Sequence, residues 1–265
     1  MRLVIHCGCH KTATTSFQQF CDVNRALLLN ARICYPKYNN NYQHSNLMWR
    51  IQREGIAVFG QFLRAATEGL DGAFDTLLLS GEDFENAIVD LALAHELEAE
   101  ARAAGFEEIQ WVVVTRAPEE YALAIYAEKS KHNVVLSKYI VLEALKQRGC
   151  LYVSTRYYNY IFVLDYARFE RRFVEAVTGR VWHFEMSDFV AGGVGANLLR
   201  KLVTPERYAA FSTAAKTLKG AANTRVPDHL VEQKYMANAL GLRDYRRWKL
   251  HWRWLMAILA WVRRP

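Results

Sequence analysis

The chain has 265 residues, of which 52% are hydrophobic, and this is enough to bury the core of one full α/β domain. Its formal net charge of +7 favours a polyanionic partner. Because the sequence has neither zinc-finger spacing nor a recognisable RNA-binding motif, we expect a small polyanionic ligand and no nucleic acid. Without repeats or Pro/Gly-rich linkers, it predicts a single domain over residues 1–242, followed by a distinct segment over 243–265.

Strands and helices are predicted to alternate along most of the chain. The predicted strands are short apolar runs, at residues 2–7, 32–36, 76–80, 109–115 and 180–185. The predicted helices lie between them, at residues 16–29, 45–68 and 90–104, and helices then dominate through about residue 177. This alternation predicts an α/β fold with a mostly parallel sheet that helices cover on both faces. In such a sheet the site lies at the carboxyl ends of the strands.

The segment from Leu3 to Ser16 carries the clearest chemical signal. An apolar strand is followed by a turn at Gly8, a lysine at Lys11 and four hydroxyl residues in the next five positions. A small-residue loop between a strand and a helix presents backbone N–H groups at the positive end of the helix dipole. Together with the charge of Lys11, this pattern predicts a phosphate-binding loop.

The spacing of this loop differs from that of nucleoside triphosphatases, which read G-x-x-x-x-G-K-[ST]. Gly8 lies only three residues before Lys11, and His10 stands where the second glycine would be. This shorter and bulkier loop suits a terminal phosphate better than a wrapped triphosphate chain.

At these residues the sequence resembles the sulfotransferases that use 3′-phosphoadenosine 5′-phosphosulfate (PAPS). Bacterial members often read H-x-G-x-H-K-T-G-T-T-S. This chain matches that pattern at His6, Gly8, His10, Lys11, Thr12, Thr14, Thr15 and Ser16. It departs at Ala13, where the family usually has glycine, and alanine fits only if that position does not need a positive φ.

The resemblance implies a P-loop-like sulfotransferase fold and a role for each loop residue. Lys11 would stabilise the leaving phosphate as the bond to sulfur breaks. The 5′-phosphate would be held by the Thr12 hydroxyl and by the backbone N–H groups of Ala13, Thr14, Thr15 and Ser16.

A second match follows the predicted strand over 109–115. Arg116 comes directly after that strand, and Pro118 with Glu119 suits the first turn of a helix. The family's 3′-phosphate motif has a strand, an arginine and, eight residues later, a serine, but Ala124 occupies the serine position here. The resemblance therefore implies that Arg116 grips the 3′-phosphate with its bidentate fork, while one hydrogen bond is missing or comes from elsewhere.

An acceptor hydroxyl needs a general base, and two residues are candidates by position. Glu82 stands just past the strand over 76–80, and related glycan sulfotransferases commonly use a glutamate. His44 follows the Asn-rich run at 39–41 and precedes a helix, where it could swing over the acceptor, and other family members use a histidine. We prefer Glu82. The alternatives are that Glu82 is only a helix first-turn acid and His44 only a loop histidine near a helix start.

The segment over 219–225 is weakly similar to the late segment that closes over the 3′-phosphate and adenine in this family. That similarity places Asn223 and Arg225 at the cosubstrate. The alternative is an ordinary polar loop.

Five cysteines are scattered along the chain. Cys7 and Cys9, with His6 and His10, look like a metal cluster, but ligands packed into five residues at a strand end cannot all converge on one ion. We therefore expect no metal. The apolar start runs straight into the loop without a signal peptide, so we expect a reduced, cytoplasmic setting.

The segment over 243–265 combines four of the seven tryptophans with a high density of Lys and Arg. Its apolar block over 254–262 is well short of the ~20 residues that a membrane span needs. This composition is typical of an interfacial helix at an anionic membrane surface. The alternative is a terminal helix that packs on the domain or on a second copy of the chain in a homodimer.

The leading hypothesis is a PAPS-dependent sulfotransferase that acts on a hydroxyl of a carbohydrate or glycolipid. A small-molecule P-loop kinase is one alternative, which the missing second glycine and the poor metal-binding sequence over 80–83 disfavour. A catalytically silent nucleotide-binding module is another, kept open by Ala13 and Ala124.

Overall fold

The computed structural model describes residues 1–70, 72–132, 134–156, 158–217 and 227–239. Within them, the main sheet has five strands: β1 Arg2–His6, β2 Ile33–Cys34, β3 Thr76–Ser80, β4 Glu108–Thr115 and β7 Arg180–Glu185. Their order in the sheet is β2-β3-β1-β4-β7, and every neighbouring pair is parallel. The predicted α/β class with a mostly parallel sheet is confirmed.

The centre of the sheet is β1, which is covered on both faces. Leu3, Val4 and Ile5 are all fully buried, as a strand of a doubly covered parallel sheet requires. Leu3 pairs with Leu77 of β3 on one side and with Ile109 of β4 on the other. The side chains of the sheet divide between two buried clusters, one on each face. The prediction that continuous apolar runs form buried central strands is therefore confirmed.

Helices follow the strands and cover the sheet. Those in the first half of the chain are α1 Thr14–Val23, α2 Arg25–Asn30, α3 Ser45–Glu54, α4 Ala57–Thr67, α5 Asn86–Val89 and α6 Leu91–Ala103. Those in the second half are α7 Pro118–Lys131, α8 Lys138–Arg148, α9 Glu170–Ala176, α10 Met186–Val190, α11 Ala196–Leu202, α12 Pro205–Ala214 and α13 Asp228–Ala239. Short 3₁₀ helices lie at Glu82–Glu85 and Tyr166–Arg168.

The single helix predicted over residues 45–68 is two helices, α3 and α4. Gly55 ends α3 with a φ of 93°, a conformation that glycine adopts without steric cost, and its N–H bonds to the carbonyl of Ile51. The chain turns there, and α4 packs against both α3 and α6.

A β-hairpin interrupts the region where helices were predicted to dominate. Its strands are β5 Leu151–Ser154 and β6 Asn159–Phe162, which pair antiparallel from Leu151 with Phe162 to Ser154 with Asn159. Each strand is only four residues long, and so short an alternation of buried and exposed residues does not identify a strand in the sequence. This hairpin matters for the site because β6 carries aromatic side chains towards it.

Three chain segments meet at the carboxyl edge of the sheet. The loop after β1, the 3₁₀ helix Glu82–Glu85 after β3 and the start of α7 after β4 all lie there, as expected for a parallel α/β sheet. No helix in the described part of the chain is long and apolar enough to cross a membrane. The segment predicted as an interfacial helix, residues 243–265, lies outside the described residues.

Candidate active site

The loop that follows β1 runs along β4 before it enters α1. The N–H of Cys7 donates to the carbonyl of Val112 at 2.9 Å, and the N–H of Cys9 donates to that of Val114 at 3.0 Å. The chain then leaves the sheet, and α1 begins at Thr14. This path places Lys11 at the edge where the predicted site lies.

Two residues of the loop adopt the left-handed conformation that favours glycine. Lys11 has a φ of 66°, and Ala13, which immediately precedes α1, has a φ of 65° and a ψ of 15°. Position 13 therefore adopts a positive φ, which is the conformation that glycine tolerates best, and the sulfotransferase pattern that this loop resembles usually has glycine there. The alanine is tolerated at a conformational cost of about 1–2 kcal/mol. Strain of this kind is typical of segments that clamp ligands.

A run of backbone N–H groups in this loop has no acceptor. Within the described residues, the N–H groups of Lys11, Thr12, Ala13, Thr14, Thr15 and Ser16 form no hydrogen bond, and the first bonded one is that of Phe17, at 3.0 Å from the Ala13 carbonyl. The first turn of a helix always leaves such donors free, and their dipoles add to a positive end. The arrangement is an anion cradle.

The side chains beneath the loop hold its shape. The Thr12 hydroxyl donates to the Cys9 carbonyl at 2.5 Å and is fully buried. In this conformation the hydroxyl closes the loop, and its role in holding a phosphate stays a prediction. Thr14 is buried beside it, with its Oγ1 3.3 Å from that of Thr12, whereas Thr15 and Ser16 are partly exposed.

His6 forms the floor under Gly8. Its Nδ1 lies 2.8 Å from the Oγ of Ser80, and burial lowers the pKa of His6 to about 3, so the ring is neutral. A Cβ at Gly8 would lie 2.7 Å from the His6 Nε2, which is closer than real Cβ contacts allow. The motif therefore needs glycine here for space.

Lys11 reaches towards α7. Its Nζ lies 2.7 Å from the Oε2 of Glu128, and both side chains are about four-fifths buried, with 22% and 23% exposure. Burial alone would raise the pKa of Glu128, but Lys11, then His132 and Lys131, lower it to about 2. Glu128 is thus an ionised partner of Lys11 that the sequence motif did not indicate.

Arg116 lies next to the loop, as its place in the second motif predicts. Its Nη1 donates to the carbonyl of Lys11 at 3.3 Å, and its Nη2 donates to the Oε2 of Glu120 at 2.7 Å. The guanidinium of Arg116 therefore lies against the backbone of Lys11 at one edge of the cradle. Ala124 lies on α7, eight residues after Arg116.

Glu82 meets the loop through His10. Glu82 Oε2 lies 2.9 Å from His10 Nδ1, and Asp83 Oδ1 lies 3.4 Å from His10 Nε2. Burial alone would lower the pKa of His10, but the charge of Glu82 and the contacts with Asp83 outweigh it and raise the pKa to about 10. His10 is therefore an imidazolium at neutral pH, one residue before Lys11. The sequence signal for a second cation in the site was the position of His10 directly before Lys11.

His44 is not placed to act as a mobile base. Its ring is fully buried, with Nδ1 3.1 Å from the backbone of Ser80 and Nε2 3.1 Å from the carbonyl of Pro36. Burial lowers the pKa of His44 to about 4, which backbone hydrogen bonds only partly oppose. This contradicts the expectation that His44 swings over an acceptor, because Nδ1 fastens the start of α3 to the end of β3 and Nε2 fastens it to Pro36.

Among the described residues, no group of three or more His, Cys, Asp and Glu side chains is placed to hold a metal ion. Cys7 and Cys9 are free thiols that are fully buried below the loop. The segment over 219–225, with Asn223 and Arg225, lies outside the described residues.

Comparison with solved structures found the crystal structure of a sulfotransferase from Alicyclobacillus acidocaldarius, which is 14% identical to this chain in sequence. The alignment covers 93% of this chain and 98% of the other, with a TM-score of 0.45. No protein-family model and no curated protein matches the chain.

Replacement of Ala13 by glycine is expected to stabilise the protein. Glycine removes the left-handed strain of about 1–2 kcal/mol, and its greater freedom in the unfolded chain offsets about 0.4–1 kcal/mol of that gain. We expect Ala13→Gly to raise the free energy of unfolding by up to about 1 kcal/mol in urea denaturation. The matched control is Ala117→Gly, because Ala117 precedes α7 with a negative φ of −49° and should lose stability. Equal losses in both variants would contradict the strained loop.

The charge on His10 predicts a pH dependence of stability. Since the pKa of His10 in the folded protein, about 10, lies above the ordinary value of 6.5, its contribution is complete below pH 6.5 and is lost as the pH rises through 10. Relative to His10→Gln, the wild type should lose unfolding free energy between these limits, by at most about 1.4 kcal/mol per pH unit. Urea denaturation at several pH values measures this. The exposed His95 provides a control, His95→Gln, that should follow the wild type. Parallel curves for the wild type and His10→Gln would refute the ion pair.

Proposed function

We propose that the protein is a sulfotransferase that moves a sulfuryl group from PAPS to a hydroxyl of a carbohydrate or glycolipid. The observation that carries this proposal is the run of backbone N–H groups without acceptors over residues 11–16, next to Lys11 and Arg116. The proposed site thus combines these hydrogen-bond donors with two cationic side chains, Lys11 and Arg116. Its position at the carboxyl edge of a parallel sheet supports the proposal, because phosphate ligands bind at that edge in α/β folds.

The chain supplies the groups that a bound PAPS molecule would need. The free N–H groups of Ala13–Ser16 suit the 5′-phosphate, and the guanidinium of Arg116 suits the 3′-phosphate. Arg116 is already fixed against the loop by its bond to the Lys11 carbonyl. Asn223 and Arg225 are proposed to complete the nucleotide site, on the basis of the sequence similarity alone.

In the proposed reaction, the acceptor oxygen forms a bond to sulfur as the bond from sulfur to the 5′-phosphate oxygen breaks. The electron pair leaves with 3′,5′-adenosine bisphosphate, and the acceptor's proton goes to Glu82. Lys11 stabilises the negative charge that grows on the leaving oxygen, as cations do in phosphoryl transfer. The His10 imidazolium adds a second positive charge beside it. Glu82 stays 22% exposed despite its contact with His10, so an acceptor can reach it.

A kinase is less well supported. Asp83 is one of the carboxylates beside the loop that a kinase could use to bind Mg²⁺, but it is 2% exposed and accepts a hydrogen bond from Trp49 Nε1 at 2.7 Å. Its other oxygen faces His10, a cation. A carboxylate engaged on both sides is a poor ligand for a metal that demands open octahedral geometry.

Lys11→Ala should remove most of the transferase activity and leave the fold intact. A group that stabilises charge developing in the transition state contributes about 2.7–4 kcal/mol, which corresponds to roughly 100- to 1,000-fold in kcat. The assay follows transfer of radiolabelled sulfate from PAPS to a carbohydrate panel. Lys138→Ala, at an exposed lysine of α8, is the matched control. A folded Lys11→Ala protein that keeps more than about a tenth of kcat would argue against this role.

Arg116→Ala should weaken nucleotide binding mainly through the 3′-phosphate. A charge-assisted hydrogen bond contributes about 1.5–3 kcal/mol, so the Kd for 3′,5′-adenosine bisphosphate should rise roughly 10- to 100-fold. The Kd for 5′-AMP, which lacks the 3′-phosphate, should hardly change in the same calorimetric titration. Equal losses for both nucleotides would place Arg116 away from the 3′-phosphate.

A further inference from the structure

The β-hairpin lays an aromatic surface beside the loop. Residues two apart on a strand share a face, and the rings of Tyr160 and Phe162 lie parallel, with centroids 5.6 Å apart and an interplanar angle of 7°. The His10 ring meets both edge-on, at 6.2 Å and 5.0 Å. Because His10 also contacts Glu82, this surface is continuous with the proposed base.

Lys129 of α7 reaches the same surface. Its Nζ lies 3.8 Å from the centroid of Tyr160 and 4.7 Å from that of Phe162. The residue is only 8% exposed. Burial lowers the pKa of Lys129, and the nearby charges of Asp83, Glu128 and Glu82 oppose that shift.

The ammonium of Lys129 has unused hydrogen-bonding capacity. It carries three N–H donors, yet among the described residues it contacts ring faces and forms neither a hydrogen bond nor an ion pair within 4.0 Å. A largely buried ammonium without a hydrogen bond costs free energy. The Nζ of Lys129 is not one of the fully buried, unpaired atoms of the described residues, so it keeps some accessible surface and a ligand oxygen can reach it.

The charges around Lys129 indicate what that ligand carries. In the described part of the chain, four cations and four carboxylates surround the pocket: His10, Lys11, Lys129 and Lys131 on one side of the balance, and Glu82, Asp83, Glu85 and Glu128 on the other. Lys129 lies in the field of Asp83, which is the largest of the charges acting on it. The pocket is therefore close to neutral, and an anionic acceptor would bring an uncompensated charge into it.

We propose that Lys129, Tyr160 and Glu82 form the acceptor subsite, and that it takes a neutral, hydroxyl-bearing ring such as an uncharged sugar. This inference rests on the proposed function and names the acceptor class for it. A ring of this kind presents C–H groups to Tyr160 and a hydroxyl oxygen to the Lys129 ammonium. A second hydroxyl of the same ring then faces Glu82, which takes its proton. Lys129 thus selects and orients the acceptor, while Lys11 and Glu82 perform the transfer.

The binding test uses three probes in the presence of 3′,5′-adenosine bisphosphate: methyl β-D-galactopyranoside, methyl β-D-glucopyranoside and the anionic methyl β-D-glucuronide. Saturation-transfer NMR should detect at least one neutral glycoside on the wild type, more tightly bound than the glucuronide. Lys129→Met keeps the length of the side chain but removes its donors, and should weaken that glycoside about tenfold or more. Tyr160→Leu should weaken it as well, and Lys138→Met should not.

The kinetic test separates binding from chemistry. With a transferable glycoside, Lys129→Met should raise the acceptor KM, whereas Glu82→Gln should lower kcat by roughly 10²- to 10⁴-fold. The Kd for 3′,5′-adenosine bisphosphate should change by less than about twofold in both variants, which also shows that they are folded.

Three outcomes would overturn the subsite: tighter binding of the glucuronide, wild-type glycoside affinity in Lys129→Met, or no neutral glycoside bound by a protein that binds 3′,5′-adenosine bisphosphate. Failure of the wild type to bind that nucleotide is a different result. It would count against the sulfotransferase proposal itself, so the two failures are distinguishable.

Discussion

One buried carboxylate joins the chain segments that form the site. Glu85 is fully buried and accepts hydrogen bonds from the N–H of His10 at 3.3 Å, from the Tyr121 hydroxyl at 2.8 Å and from the N–H of Val163. These donors belong to the loop, to α7 and to the chain just after the hairpin. Burial raises the pKa of Glu85, and the charge of His10 and these donors oppose that rise. Without this carboxylate, three buried donors would lose their acceptor, at a cost of about 1–3 kcal/mol each.

The helix α7 balances the charge of the loop that Glu85 holds in place. Its residues Glu120 and Glu128 each lie 2.7 Å from a cation of the cradle, Arg116 and Lys11 respectively. On the proposed function, an incoming phosphate competes with these carboxylates for the same donors. The net affinity is then a difference between two sets of ion pairs, and it is smaller than the number of cations alone would indicate.

The sequence predicts the sheet and the loop well because both depend on local patterns. Apolar runs place β3 and β7 at their observed ends. Because Lys11 and Arg116 each follow a strand of the same parallel sheet, the sequence also places both at the same edge. The remainder of the site depends on contacts between distant segments, such as Lys129 with Tyr160, which no local period encodes. The role of mobile base predicted for His44 is wrong for the same reason, because its ring is buried through tertiary contacts with Pro36 and Ser80. The sequence raises the possibility that Ala13 needs a positive φ, but the angle itself is known only from the folded backbone.

The central claim is that the cradle over residues 11–16 binds the phosphates of a 3′-phosphoadenosine nucleotide and not a magnesium-bound triphosphate. Isothermal titration calorimetry of the wild-type chain with 3′,5′-adenosine bisphosphate, with ATP and with ATP plus Mg²⁺ tests it directly. The account predicts that the bisphosphate binds at least about tenfold more tightly than ATP, a difference of about 1.4 kcal/mol, and that Mg²⁺ makes no difference. Tighter binding of ATP that requires Mg²⁺ would contradict it.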